Sequence, residues 1–230
     1  MTEFLTQSVF FGAVLSLGAY QVGLLCKKRW HLAIFNPLLV ATALVIGVLV
    51  VFKIPYSVYS SGAKYISYLL TPATVCLAIP LYEQLALLKK NALAILSGII
   101  AGVLTSVTMV LLFALVFHFS HGEYVTFLPK SVTTAIGMGV SEQMGGNVSI
   151  TVAVIIITGV LGNMLAEPVC RMLSITNPIA KGIAIGSSSH AIGTAKAMEL
   201  GEVEGAMSGL SIAVSGILTV FAAAVFSMLY

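Results

Sequence analysis

Two hydroxyl clusters, Thr133-Thr134 and Ser187-Ser188-Ser189, the second followed directly by His190, are the side chains in this sequence best suited to holding a small anion. A hydroxyl can donate one hydrogen bond, and an imidazole, whose pKa lies near neutral pH, can donate to an anion or carry a coupling proton. Plainer uses exist for both: Ser and Thr cap helices, and a histidine can hydrogen-bond between packed helices. Three consecutive serines followed by histidine exceed what one cap requires. Few charges stand near them. Glu142 follows the first cluster, Lys196 and Glu199 follow the second, and Glu83 lies upstream. Lys196 and Glu199 are three residues apart and on a helix could neutralise each other. Glu142, Lys196 and Glu83 are the candidates for charge compensation or proton coupling, and Glu83 could equally mark an interface.

Each cluster opens a polar, glycine-rich segment, and the two segments are related. Thr133-Thr-Ala-Ile-Gly-Met-Gly-Val-Ser-Glu-Gln-Met-Gly-Gly146 returns in altered form as Ser189-His-Ala-Ile-Gly-Thr-Ala-Lys-Ala-Met-Glu-Leu-Gly-Glu202. Ala135, Ile136, Gly137 and Gly145 match Ala191, Ile192, Gly193 and Gly201, and Thr158-Gly-Val-Leu matches Ser215-Gly-Ile-Leu further on. Gly137 and Gly193 therefore join the candidate binding positions, where backbone could approach a ligand.

The rest of the chain is oily. Hydrophobic residues make up 59% and charged residues 8% of 230 residues, mean hydropathy is +1.07, and there is no aspartate. This composition predicts an all-α polytopic membrane protein, since strand-like alternation is absent. Six stretches approach or exceed the roughly 20 apolar residues needed to cross a bilayer core: 4–26, 32–52, 65–82, 91–117, 148–166 and 205–230. One domain fills 1–230, with 1–60 as scaffold helices and 61–230 as a core holding the polar segments 129–147 and 183–203. The first run lacks a basic n-region and a cleavage site, so it reads as a retained helix. Pro72 and Pro80 predict a kinked helix over 71–84.

Basic residues set orientation, because short Lys/Arg-rich loops stay cytoplasmic. Lys27-Lys28-Arg29 and Lys89-Lys90 place the N-terminus outside, that is, periplasmic for a bacterial inner-membrane protein. If 129–147 dips in and returns to the same face, Arg171 and Lys181 fall inside and the charge bias holds; a full crossing erases it. The second segment then enters from the opposite face. Two broken or re-entrant segments forming an inverted repeat are a carrier's architecture: unpaired backbone at bilayer depth survives only where protein, water or ligand satisfies it, and helix N-termini favour anions.

Other features are weaker. Cys26, Cys76 and Cys170 are scattered and read as buried structural thiols. His118, His121 and Glu123 read as a solvated loop and not a metal site, and Gly201-Glu-Val-Glu-Gly205 reads as a solvated turn. Gly98-x-x-x-Gly102 and Gly205-x-x-x-Gly209 are close-packing signals, within the bundle or between protomers. No metal, cofactor or enzyme motif is present: G-x-S-x-G, H-E-x-x-H and a phosphate loop are all missing. Nothing points to nucleic acid.

The runs Pro129-Lys-Ser-Val-Thr-Thr-Ala-Ile, Ser141-Glu-Gln-Met-Gly-Gly and Gly186-Ser-Ser-Ser-His-Ala-Ile-Gly-Thr-Ala-Lys-Ala-Met-Glu-Leu-Gly-Glu-Val-Glu-Gly-Ala-Met-Ser-Gly-Leu210 resemble the signature blocks of the LrgB/CidB family, and the resemblance extends over almost the whole chain. Ala135 departs from the proline that many relatives have after the paired threonines, which implies a less sharply kinked first segment. The resemblance implies two functions of different class. One is an antiholin-like modulator of murein hydrolase activity and cell lysis, working with a small LrgA/CidA-type membrane partner. The other is a secondary transporter of small monocarboxylates such as glycolate, glycerate, lactate or pyruvate, coupled to a proton or sodium ion. The paired polar segments favour the transporter, because a lesion-forming protein needs self-associating helices instead. A homodimer is the expected assembly.

Overall fold

The computed structural model describes residues 8–30, 35–76 and 78–230. The starts of the expected stretches at 4 and 32, and Leu77 within the expected kinked helix, lie outside the described residues. Among the described residues every regular element is a helix. The chain divides into two compact units, 1–76 and 77–230.

In the first unit, α1 (Phe11–Trp30), α2 (Pro37–Val51), α3 (Tyr56–Ser67) and α4 (Leu70–Cys76) follow one another. Asn36 starts α2: its side chain accepts from the Leu38 amide at 2.9 Å, and Pro37 occupies the first turn, where no amide donor is needed. α1 and α3 touch backbone to backbone at Gly12, where an added methyl carbon would lie 2.5 Å from the Ala63 nitrogen. Ser16 and Tyr59 hydroxyls meet beside it at 2.8 Å.

The second unit contains α5 (Ala78–Glu83), α6 (Leu85–Lys90), α7 (Ala92–Phe117), α8 (His121–Phe127), α9 (Thr134–Gln143), α10 (Val148–Met172), α11 (Pro178–Leu200) and α12 (Glu202–Phe226). α7, α10 and α12 are long and apolar enough to cross a membrane, with mean hydropathies of 2.6, 2.2 and 2.2. The expected span 65–82 is not one helix. It is divided among α3, α4 and α5, with Pro72 and Pro80 each in the first turn of a short segment, the position a proline tolerates.

The long helices turn hydrocarbon outward, as at Leu93, Ile157 and Phe221; α7 buries chiefly isoleucine and valine, whereas α10 and α12 bury many small and polar residues. On α12 the buried stripe runs Ser208, Ser211, Ser215, Thr219, Ala223, at the three-to-four spacing of one helix face. Such a stripe packs closely and places hydroxyls where lipid cannot reach.

Contact order gives each element its direction. Ile95 and Ile99 near the start of α7 cluster with Ala206 and Met207 near the start of α12, while Val110 and Ala114 cluster with Ala223 near its end; α7 and α12 run parallel. Gly182 faces Glu204 and Met207, and Gly186 faces Ser208 and Ser211, so the first part of α11 also runs with α12. Beyond His190 the order reverses: Thr194 bonds Ser208 at 2.7 Å, and Gly205 abuts Met198. α11 is therefore a hairpin with arms 178–189 and 191–200. It turns at His190, whose backbone (φ 42, ψ −143) is non-helical.

α10 runs against the first arm, with Gly162 beside Ser189 and Ala166 clustered with Ile185. Hence α10 and α12 are antiparallel to each other. The other polar segment also turns back. α9 runs against α10 through Ser141 and Thr151 (2.7 Å) and through Gly137 beside Ile155, and the Asn147 amide returns to the Thr126 hydroxyl at 2.8 Å. The segment between these two residues thus leaves and re-enters at one point. α9, with ten residues, is about 15 Å long, half a bilayer core.

The inverted repeat expected from sequence is built into this unit. Ser120 and Asn177 begin the inbound arms, Thr133 and His190 mark the turns, and Gln143 and Leu200 end the outbound arms, all at one constant spacing along the chain. Each copy then continues into a helix of 25 residues, α10 or α12.

Candidate functional site

The two hairpin tips are seated reciprocally. A methyl carbon at Gly159 on α10 would lie 2.9 Å from Ile192 Cβ of the second hairpin, and one at Gly216 on α12 would lie 2.8 Å from Ile136 Cδ1 of the first. These are equivalent pairs under the repeat, and the two glycines belong to the matched Thr-Gly-Val-Leu and Ser-Gly-Ile-Leu runs. α7 joins the tips. Gly102 adjoins Ser187, and one turn later Ser106 meets Ser131 at 3.0 Å.

His190 is buried, and its Nε2 lies 3.0 Å from the Ile155 carbonyl oxygen. A carbonyl only accepts, so Nε2 carries the hydrogen in the neutral ring. Its own carbonyl accepts from the Thr194 hydroxyl at 3.0 Å. Both features fit a structural turn as well as a binding residue.

The serines differ from expectation. Ser187 and Ser188 do not open a helix; they close the inbound arm, donating back to the Ile183 and Ala184 carbonyls at 2.7 Å each. Ser189 meets Ser188 at 3.0 Å and presses on Gly162. The helix start at this tip belongs to Ala191, with His190 preceding it. At the first tip Thr133 occupies the cap position of α9 without a side-chain capping bond, leaving its hydroxyl and that of Thr134 half-buried beside the start of a helix. Gly193 lets the arms of the second hairpin close, since an added methyl carbon would lie 2.5 Å from Ser189 Cβ and 3.3 Å from the Ile185 carbonyl oxygen; Gly137 instead lets α9 sit on Ile155 of α10.

The charged candidates are not gathered at the tips. Glu142 is exposed near the far end of α9, and Glu83 is exposed at the end of α5. Lys196 sits along the outbound arm, 3.2 Å from Glu199 and 3.3 Å from Glu167 of α10, which also pairs with Arg171 at 2.6 Å. The mutual neutralisation of Lys196 and Glu199 is thus observed, within a four-charge chain that ties the second hairpin to α10. Sequence reasoning missed Glu167; its signal is an isolated Glu-Pro step in an apolar helix.

Two smaller expectations are corrected and one open alternative is decided. Glu204 is buried against Gly182 where a solvated turn was expected, because the inbound arm covers the start of α12; Glu202 is exposed. Only Cys170 is buried, whereas Cys76 is exposed and Cys26 intermediate. Gly98 and Gly102 pack within the bundle, on Ile183 and Ser187. Among the described residues no cluster suited to a metal occurs.

The family profile described as the LrgB-like family matches residues 16–229. The chain belongs to the LrgB-like family. Antiholin-like protein LrgB of Bacillus subtilis (strain 168) is 40% identical over 225 residues, covering 97% of each chain. Proteins of the same name from Bacillus mycoides (strain KBAB4) and Bacillus cereus (strain B4264) are each 39% identical over 216 residues, covering 94% of each chain. No solved structure matches this LrgB-like chain. Family membership and its apolar helices make it a multi-pass membrane protein.

Proposed function

We propose that this chain is an antiholin-like membrane protein, acting with a small LrgA/CidA-type partner to restrain murein hydrolase activity and cell lysis in a bacterial inner membrane. The observation that carries this reading is the 40% identity to Antiholin-like protein LrgB over 97% of both chains. The test is lysis. Deleting the gene should accelerate autolysis of detergent-challenged cells, and the full chain supplied in trans should restore the slower rate; unchanged lysis in both strains contradicts it.

A second reading is favoured by a specific observation, the pair of re-entrant hairpins seated reciprocally on Gly159 and Gly216. Such hairpins expose helix starts inside the protein, where backbone N–H groups and a partial positive charge of about half an elementary unit favour an anion. On this reading the protein carries small monocarboxylates, with Thr133, Thr134 and His190 at the tips and a proton or sodium ion as coupling ion. Movement of the hairpin unit would give alternating access. Lysis control would then follow from carboxylate traffic, so the two readings are compatible in a cell and separable in proteoliposomes. Uptake of labelled glycolate, lactate or pyruvate by the purified protein supports the carrier; uptake equal to empty vesicles for all three excludes it for these substrates.

A further inference from the structure

We propose that Lys130 is the cationic half of an anion site whose other half is the Ser106–Ser131 hydroxyl pair. Lys130 lies in the inbound segment of the first hairpin, three residues before the turn at Thr133, and is half-buried. Its Nζ donates to Ser131 Oγ at 3.0 Å, and Ser131, itself buried, meets Ser106 of α7 at 3.0 Å. Among the described residues no carboxylate pairs with Lys130, whereas Lys196 and Arg171 are both paired. A lysine drawn into a hairpin at membrane depth with one neutral partner retains two unassigned N–H donors and an unbalanced charge. Such a residue is costly unless it meets water or an anion.

The surroundings narrow the ligand. The hydroxyl pair adds one free O–H at the same spot, its other hydrogen being spent between the two serines, and one turn along α7 the second hairpin arrives at Gly102 through Ser187. A mostly apolar groove of about 520 Å³, lined by Gly98, Ile183 and Ala184 among others, ends at Gly102 and Ser187, one turn of α7 short of Ser106; Lys130 and the hydroxyl pair lie beyond its lining. One charge with two free N–H donors and one free hydroxyl hydrogen fits a small monocarboxylate better than a polyanion. The inference rests on the carrier reading and assigns it a charge partner that Lys196, occupied by two carboxylates, does not supply.

The test is equilibrium binding of radiolabelled pyruvate and glycolate to the full chain in nanodiscs, with chloride and phosphate as competitors. Saturable binding to the wild type is expected. Lys130→Met should weaken it by about ten-fold or more, Lys130→Arg should retain most of it, and Ser106→Ala should weaken it about two- to ten-fold, the range of one charge-assisted or neutral hydrogen bond. Wild-type binding with unchanged affinity in a folded Lys130→Met overturns the assignment of Lys130 and leaves the carrier reading standing. No saturable binding by the wild type overturns both. Should Lys130→Met fail to fold, Ser106→Ala and Lys130→Arg decide: unchanged affinity in Ser106→Ala, or a loss of about ten-fold or more in Lys130→Arg, overturns the proposal. Competition by chloride or phosphate as strong as by pyruvate overturns the carboxylate class.

Discussion

His190 donates its Nε2 hydrogen to the carbonyl oxygen of Ile155 across 3.0 Å, and with that bond the turn of one hairpin is fastened to the middle of the repeat-related long helix. The ring also lies against Gly159, where an added methyl carbon would come within 2.6 Å of His190 Cε1. Because Nε2 is committed, a ligand or proton at this residue must use Nδ1 or displace Ile155.

Replacing His190 with leucine removes the only side-chain donor on the Ile155 carbonyl and keeps a branched residue at φ 42. Losing that hydrogen bond costs about 0.5–1.5 kcal/mol, because the Ile155 carbonyl keeps its place in the ladder of α10; the positive φ is common to wild type and variant and adds nothing to the difference. His190→Asn keeps an amide donor for the Ile155 carbonyl at the same backbone position. The expected order of thermal stability in detergent is wild type, then Asn, then Leu.

Gly159→Ala should be worse than Gly216→Ala. At Gly159 the new carbon meets a buried ring and Ile192 Cβ, which the hairpin turn holds; at Gly216 it meets only the far end of Ile136, which can rotate away. The expected cost is about 1–3 kcal/mol at Gly159, the range for overpacking, and under about 1 kcal/mol at Gly216. Thermal unfolding of the two variants checks this.

Lys196→Met opens the chain from Arg171 through Glu167 and Lys196 to Glu199. Lys196 is only 15% exposed, whereas Glu167 and Glu199 are 38% and 51% exposed, so solvent screens much of the pairing. A double-mutant cycle with Glu167→Gln should give a coupling of about 0.5–1 kcal/mol that shrinks in high salt. Coupling indistinguishable from zero at low salt would show the pairs to be incidental.

The capping box at the start of α8 makes a pH prediction outside the membrane. Glu123 accepts from the Ser120 amide and hydroxyl at 2.7 Å each, which holds its carboxyl below the usual carboxylate range. A depressed folded-state pKa contributes stability above the unfolded value and loses it as pH falls through the folded one. Glu123→Gln should therefore be less stable than wild type at neutral pH, and the gap should close under acid. A gap independent of pH contradicts the charge-assisted cap.

The helical membrane class was legible from hydropathy, and the inverted repeat from a handful of matched small residues read together with Arg171 and Lys181. Those matches carried real geometry because Gly159 and Gly216, like Ile136 and Ile192, are the residues that touch. The fate of 65–82 was not legible, since hydropathy does not say whether a proline kinks one helix or starts another. Nor was the pairing of Lys196 with Glu167, which lies on a different helix, or the burial of Glu204, which depends on the inbound arm of α11 crossing its first turn. Ser187 and Ser188 were placed at the wrong end of a helix because the turn falls at His190, a residue type with no turn signature of its own.

Two residues decide whether the hairpins enter from opposite faces. With Cys26, Cys76 and Cys170 replaced, single cysteines at Asn147 and Glu202, both exposed, can be labelled in intact cells by a membrane-impermeant maleimide. A turn-back at His190 predicts opposite outcomes: Asn147→Cys labels from outside and Glu202→Cys only after permeabilisation. If α11 instead crossed the membrane once from end to end, both positions would share a face, and equal labelling of the two from outside would contradict the inverted hairpin architecture.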